Sequence, residues 1–382
     1  MSYSNLTRSA IRIAAKALWL VPGCFELARI AGPLYSLRCV VFHNISAIQS
    51  PFTTGMRVSI TPKEFETALR FLTRYYVPVR LQDVLTECDG EGLPPRAILV
   101  TFDDAYASVA EWAAPICRQF GVPAVFFVNA AFLDNQRLSP DNLVCYVANV
   151  LGMGTINAAV CAVPGRETTR LYSLADVFGR FLPTISLAER EVFLDALRQL
   201  ACINESRMAK EAGLYLTSKQ LCDLTAFDFE IGNHTYTHAH CRSFSQEDFV
   251  SEVDRNKVEL EALTGLKVRS FSQPYGSLKD LTHELAEYLE RTGHQAIFLS
   301  ESVANPQRPN RGPLDRISTC AESEDTLFSE IEILPRLRAI RNRFLRSPAP
   351  IRTLRVHSLA DQQGTINPDD CVKTAETRQK RA

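Results

Sequence analysis

The sequence predicts an α/β protein whose strands form a mostly parallel, barrel-like sheet. Three observations carry that expectation. Apolar runs of strand length recur along the chain, amphipathic segments with helix-start signals lie between them, and most of the runs end on an uncommon polar residue. Strands that alternate with helices pair in parallel, and about seven such units fit a β/α barrel, where chemistry collects at the C-terminal ends of the strands.

The elements follow in order. Arg8, Arg12 and Lys16 precede a short apolar run, Ala17 to Val21, that ends in Pro22-Gly23-Cys24. A signal peptide needs a longer apolar core, so residues 1–37 read as a helical, amphipathic N-terminal extension. The first strand runs from Arg38 to Phe42 and ends at His43. Thr61-Pro62-Lys63-Glu64 is a helix start, with Thr as the cap, Pro at the first helical position and Glu three residues after the cap. Phe65, Leu69 and Leu72 then share one face. Ala97 to Phe102 is a second strand, ending at Asp103-Asp104, and a helix over Ala107 to Phe120 stops at Gly121. Ala124 to Val128 ends at Asn129, Phe229 to Asn233 at His234, and Val268 to Ser272 at Gln273-Pro274. Ser245 to Asp248 is another capping signal, opening a helix lined by Phe249, Val253, Leu260 and Leu263 and ended by Gly265. Gln295 to Leu299 and Arg316 to Thr319 complete the strand set, and β-branched and aromatic content suits these runs to buried strands.

Two regions break the rhythm. Residues from about 134 to 216 separate two strands by far more than an ordinary connection. Their helical patterns, such as Ser186 to Leu200, read as a helical insertion beside the active face. Residues 321–382 form a basic helical segment and a flexible polar tail. Arg336, Arg338, Arg341, Arg343, Arg346, Arg352 and Arg355 crowd a stretch without acids, with Leu337, Ile340 and Phe344 on one helical face. Such a helix can lie on an anionic membrane surface or serve as a solvated packing helix.

Totals narrow the function. The 382 residues are 46% hydrophobic and carry a net charge of -1, which excludes the basic excess of a dedicated nucleic-acid binder. The 11 cysteines are scattered and odd in number, unlike a disulfide scaffold. Cys39, Cys117, Cys161 and Cys202 read as small core hydrophobes. No stretch reaches the roughly 18 apolar residues of a membrane span. Reduced thiols and the poor export signal place the protein in the cytoplasm, with Arg336 to Arg355 giving peripheral contact at the inner membrane face.

Chemistry concentrates at two places. Asp103 and Asp104 are adjacent carboxylates at the end of an apolar run. They repel each other beside a core, although Asp-Asp is also common in turns. Three of the seven histidines lie between His234 and His240. His234 and His238, four residues apart, present both imidazoles on one side in a helix or tight turn, and neutral imidazole is the commonest protein ligand for zinc-like ions. Two histidines need a third ligand, and Asp104 can supply it.

With these residues in place, the chain resembles the polysaccharide deacetylases, carbohydrate esterase family four, with its nodulation-protein-B-like homology domain. Thr101-Phe102-Asp103-Asp104 matches the first motif in full, His234-Thr235-Tyr236-Thr237-His238 the second, and Pro274-Tyr275-Gly276 part of the third. The similarity runs from about Arg38 to Thr319, so residues 38–320 form a catalytic domain interrupted by the insertion. The resemblance implies a deformed (β/α)7 barrel and a metal-dependent hydrolase acting on a carbon–nitrogen bond other than a peptide bond. It would remove N-acetyl groups from an amino sugar in a polysaccharide or lipid-linked glycan, as in exopolysaccharide and cell-envelope chemistry. Asp103 would be the general base, and Asp104, His234 and His238 the metal ligands. The backbone N–H of Tyr275 would hold the oxyanion. Zinc suits two histidines and one carboxylate, and Co2+, Mn2+ or Ni2+ fits the same set.

Departures leave alternatives open: an O-acetyl esterase or deformylase on a sugar, or a non-catalytic sugar-binding relative. Many members carry Arg two residues before the third-motif Pro; here that residue is Ser272, and Arg316 is the candidate partner of Asp103 on spacing. No Leu-x-His follows Leu299 to supply an acid. His43, at the end of the first strand, is the remaining candidate for acid or substrate contact. His294 reads as structural, His240 and His283 as surface residues, and His357 as an isolated tail residue.

Overall fold

The computed structural model describes residues 13–14, 16–23, 37–86, 92–227, 229–303, 305, 312–319 and 321–338. Cys24, Ile340, Phe344, His357 and the arginines from Arg341 to Arg355 lie outside the described residues.

Six parallel strands, β1 (Arg38–Phe42), β2 (Ala97–Phe102), β3 (Ala124–Val128), β4 (Glu230–Asn233), β5 (Ser270–Ser272) and β6 (Ala296–Leu299), lie side by side in chain order. Two short pieces fill the seventh position. β7 (Leu314–Asp315) pairs with β6, and β8 (Ile317–Ser318) pairs with β1. This one stretch of chain nearly closes the sheet into a deformed (β/α)7 barrel. The strand expected over Arg316 to Thr319 is therefore broken at Arg316, where the chain passes from one neighbour to the other.

Side-chain alternation sorts the strands into two layers. Val40, Phe42, Val100, Phe102 and Phe126 face outward onto the helices. Cys39, Leu99, Val125, Phe127 and Phe298 fill the interior. Asp103 continues the parity of Leu99 and Thr101, so the carboxylate enters the barrel mouth.

Helix α1 (Pro62–Tyr75) starts where its capping box predicts: Thr61 N–H donates to Glu64 and Glu64 N–H donates to the Thr61 hydroxyl at 3.2 Å. Its inner face buries Phe65 edge-on to Phe42, with ring centroids 5.1 Å apart, and burial of one such side chain stabilises the fold by about 1.5–3 kcal/mol. The helix expected from Ala107 is regular only as α2 (Ala114–Phe120); Val109–Ala113 forms a wider π turn. Pro115 explains this, because it lacks an N–H and its ring clashes with the carbonyl one turn back. Gly121, with φ +64°, ends the helix.

Between β3 and β4 the chain is helical, with α3 (Pro140–Val150) and α4 (Leu187–Leu200) the longest pieces. Leu143, Val147, Ile156, Phe193 and Leu197 give this region a core of its own. The helix opened by Ser245 ends as α5 (Arg255–Thr264), stopped by Gly265 at φ +70°. Near the N-terminus Trp19 packs on Phe71, Tyr75 and Phe328. No helix among the described residues is long and apolar enough to cross a membrane.

The cysteine expectations need correction. Cys39 and Cys117 are core residues, but Cys161 and Cys202 are exposed. Both follow helix ends, where the apolar neighbours turn inward and the thiol does not.

Candidate active site and metal centre

The site forms where β1, β2, β4 and β5 end. Five non-glycine residues there, Asp104, Ala105, Thr235, His238 and Tyr275, have φ between +53° and +72°. Left-handed backbone at non-glycine residues is costly and persists where the surroundings over-determine it. Asn129, at the end of β3, does part of this by donating its amide to the carbonyls of His234 and Thr235. Asn233 accepts from Thr235 N–H at 3.0 Å, and Ala239 N–H donates to the Thr235 hydroxyl at 3.1 Å. Gly232 is required just before this loop, because a Cβ there would lie 2.3 Å from the Phe127 ring.

The two histidines sit with defined ring orientations. His234 Nδ1 lies 2.7 Å from the Ser272 carbonyl oxygen, and His238 Nδ1 lies 2.6 Å from an Asp141 carboxylate oxygen. Both partners only accept, so each Nδ1 carries the hydrogen and each Nε2 lone pair points the other way. Those Nε2 atoms converge on Asp104 Oδ1, at 3.4 Å from His234 and 3.3 Å from His238. Asp104 Oδ1 is buried and has no hydrogen-bond partner. Three electron-rich atoms within 4.8 Å of one another repel unless a cation or a proton sits among them. Two imidazoles and a carboxylate are the donor set of a catalytic divalent-metal site, so the residues fit such an ion. Burial works against ionised Asp104, but His238, His234 and His43 outweigh it and hold its carboxyl below the usual range. Burial lowers His238, yet Asp141 and Asp104 raise it to about 9; the proton that it holds is the one an incoming cation would displace.

Asp103 takes no part in that triangle. It is buried and clamped by Arg316, whose Nη1 and Nη2 each donate to one carboxylate oxygen at 2.7 Å. Arg316 is itself fully buried. It also donates to the Ser272 hydroxyl at 2.7 Å, the Ser300 hydroxyl at 3.1 Å and the Leu299 carbonyl at 3.1 Å. Burial would raise the Asp103 carboxyl, and Arg316 followed by His234 brings it below its ordinary value. The fork of a guanidinium on a carboxylate fixes orientation as well as charge. Asp103 is thus an ionised carboxylate, locked in place, with Oδ2 3.7 Å from His234 Nε2.

The remaining expected residues gather at the same mouth. His43 follows β1 beside Asp103, because Phe42 and Phe102 are in register. Burial lowers its pKa against the opposing pull of Asp104 and Asp103. Tyr275 follows β5, its ring 4.9 Å from that of His238. His240 is not a surface residue: its side chain is only 9% exposed and its ring stacks face to face on Tyr275 at 3.6 Å. His283 is exposed at the start of a surface helix. His294 is buried against Asn233 and Thr292, away from the mouth.

Asp141 escapes sequence reasoning. It occupies the first turn of α3, after the Ser139 cap, and an acid there reads as an ordinary complement to the helix dipole. Only the tertiary fold brings it to His238.

Comparison with known proteins adds to the geometry. Residues 197–296 match the polysaccharide deacetylase family model. No curated protein sequence is significantly similar to the chain. A Streptococcus pyogenes deacetylase, PplD in complex with acetate, is similar in structure with a TM-score of 0.51 and 13% identity, covering 78% of this chain and 100% of its own. That similarity shows the fold. IcaB from Ammonifex degensii aligns with a TM-score of 0.48 and 18% identity over 78% of this chain and 97% of its own. A de-N-acetylase from Aggregatibacter actinomycetemcomitans gives 0.48 and 16% over 75% and 96%.

Proposed function

Because the chain belongs to the polysaccharide deacetylase family, we propose that it is a hydrolase that removes N-acetyl groups from an amino sugar in a polysaccharide or lipid-linked glycan, using a divalent metal. The observation that carries this reading is the contrast between adjacent aspartates. Asp103 is paired with Arg316 and kept out of the ligand triangle, while Asp104 presents an unpartnered oxygen to the two Nε2 atoms. One carboxylate is built as a base and the other as a ligand.

Asp104, His234 and His238 would hold the ion. A divalent cation bound there supplies Lewis-acid polarisation of the acetyl carbonyl and makes water acidic enough to react near neutral pH. Asp103 accepts the proton of the attacking water on a carboxylate oxygen, and Arg316 keeps that carboxylate charged and aimed. The new C–O bond forms as the amide carbonyl oxygen becomes an oxyanion, towards which the Tyr275 N–H donates. His43, beside both aspartates, relays the proton taken up by Asp103 to the departing nitrogen. The C–N bond then breaks, leaving acetate and a free amine.

The compartment in this reading is the cytoplasm, with the stretch from Arg336 to Arg355 contacting the inner membrane face; wholly soluble, salt-insensitive fractionation would count against that. The activity is tested by metal content measured alongside acetate release from N-acetylated and O-acetylated oligosaccharides. One ion per chain, with chelator-sensitive release from the N-acetylated set, is the expected result. Release from the O-acetylated set alone would make the protein an esterase. No ion after incubation with zinc or cobalt would overturn the metal reading.

A further inference from the structure

We propose that Asp141, from the helical region between β3 and β4, is a positioning residue that sets the tautomer of His238 and thereby the affinity of the metal site. This rests on the metal reading above. The triangle of ligands comes wholly from barrel loops, but the group that orients one of them does not. Asp141 is buried at 3% exposure. One of its oxygens lies 2.6 Å from His238 Nδ1, and the other accepts from the Tyr275 hydroxyl at 2.7 Å.

Two alternatives are weaker than this one. A helix-dipole role would leave Asp141 in solvent at the end of α3, and it is buried instead. A purely structural role would be served by any contact, whereas the carboxylate binds the one ring nitrogen that decides where the lone pair goes. His234 shows the same logic with a backbone carbonyl, that of Ser272. The two ligands therefore differ in the strength of their support. His238 is oriented by a carboxylate and His234 by a backbone carbonyl, and a carboxylate partner is the firmer support for a ligating imidazole.

The same region grips the ligand loop a second time. Arg190 of α4 donates to the Thr237 hydroxyl at 2.7 Å, next to His238. Glu252 holds Thr237 from the barrel side, accepting from its N–H at 2.8 Å and from its hydroxyl at 2.5 Å. Asp141 thus holds the His238 ring, and Arg190 holds the residue before it. The helical region between β3 and β4 is a working part of the metal site and not only a wall beside it.

The test is zinc affinity, read by competition with a chromophoric chelator, in the unmutated protein, in D141N and in Y275F. Asn keeps the shape of Asp and removes its charge. Loss of a second partner of this kind weakens metal binding by about 10- to 100-fold. D141N should fall in that range, while Y275F, which removes the other partner of Asp141 and leaves the His238 contact, should stay within about threefold. Zinc binding by D141N within threefold of the unmutated protein would overturn the proposal. If D141N does not fold, nitrogen-15 spectra of the zinc-loaded unmutated protein decide: a protonated Nδ1 on His238 supports the proposal, and a protonated Nε2 overturns it. Failure of the unmutated protein to bind zinc would be a different result, refuting the metal reading itself.

Discussion

The pairing of Asp103 with Arg316 can be tested quantitatively as a buried ion pair. In Arg316→Met the two 2.7 Å bonds to Asp103 disappear. The carboxylate, 4% exposed, is left with a 3.3 Å contact to the Ser272 hydroxyl. Removing one partner of a buried pair costs about 3–5 kcal/mol, because the other charge stays behind without compensation. That is a large share of the total stability of an ordinary domain, about 5–15 kcal/mol. In Asp103→Asn the buried Arg316 guanidinium in turn loses its counter-charge, and because it keeps the hydroxyls of Ser272 and Ser300 and the carbonyl of Leu299, the expected cost is at the lower end of the same range, about 3 kcal/mol. The double variant has neither charge. It should be more stable than the two single costs imply, by about 2 kcal/mol or more, since contacting residues in one network couple by about 0.5–3 kcal/mol. Urea denaturation of the four metal-free proteins measures each value, and requires an unchanged m-value to be read as stability. Additivity within about 0.5 kcal/mol would show that the two charges do not depend on each other, and the account of the base would have to be abandoned.

Asp103→Asn should retain the full complement of metal and lose turnover by about 10²- to 10⁴-fold, the contribution of a positioned base; full activity would remove Asp103 from that role. Replacing Asp104, His234 or His238 by Ala should abolish metal binding and acetate release together, as checked by elemental analysis and an acetate assay on the same samples. His294 should make the fold acid-sensitive. Burial, helped by Lys257, lowers its pKa from 6.5 to about 3, so below pH 6.5 the unfolded chain takes up a proton that the folded chain refuses, and stability falls as the pH falls. The slope approaches about 1.4 kcal/mol per pH unit, and denaturation midpoints that show no flattening between pH 7 and pH 5 in His294→Gln would contradict this.

The parts of the site that could be read from the sequence are those whose signal is local. Asp103 and Asp104 announce themselves by ending an apolar run, and His234 and His238 by their spacing after another. A strand that ends in a barrel mouth turns such local patterns into convergence. Arg316 was recoverable only as a residue at a plausible distance along the chain, because nothing in its neighbours says that a guanidinium is turned into the barrel. Asp141 could not be recovered. It follows the Ser139 cap and Pro140 in the first turn of its helix, where an acid complements the helix dipole without needing a partner. The polarity of His240 suggests exposure, whereas the flat face of its imidazole packs on the Tyr275 ring. Cys161 and Cys202 show the opposite case, since an apolar neighbourhood in sequence does not fix which side of a helix end a thiol occupies.

Ser272 looks at first like a loss, since the family resemblance leads to the expectation of an arginine serving the base at that position, two residues before Pro274. The barrel interior argues otherwise. Inward-facing positions at one level of a barrel mouth are close together whichever strand carries them, so a guanidinium can reach Asp103 from more than one side. Here it arrives from the break between β7 and β8, where the chain switches partners at Arg316. The small side chain at 272 then becomes a requirement. Its hydroxyl accepts from Arg316 at 2.7 Å and its carbonyl orients His234, and a second arginine in that fully buried position would compete for the same carboxylate and the same space. The serine and the displaced arginine are one arrangement, and the absence of Arg at position 272 carries no argument for a lost base.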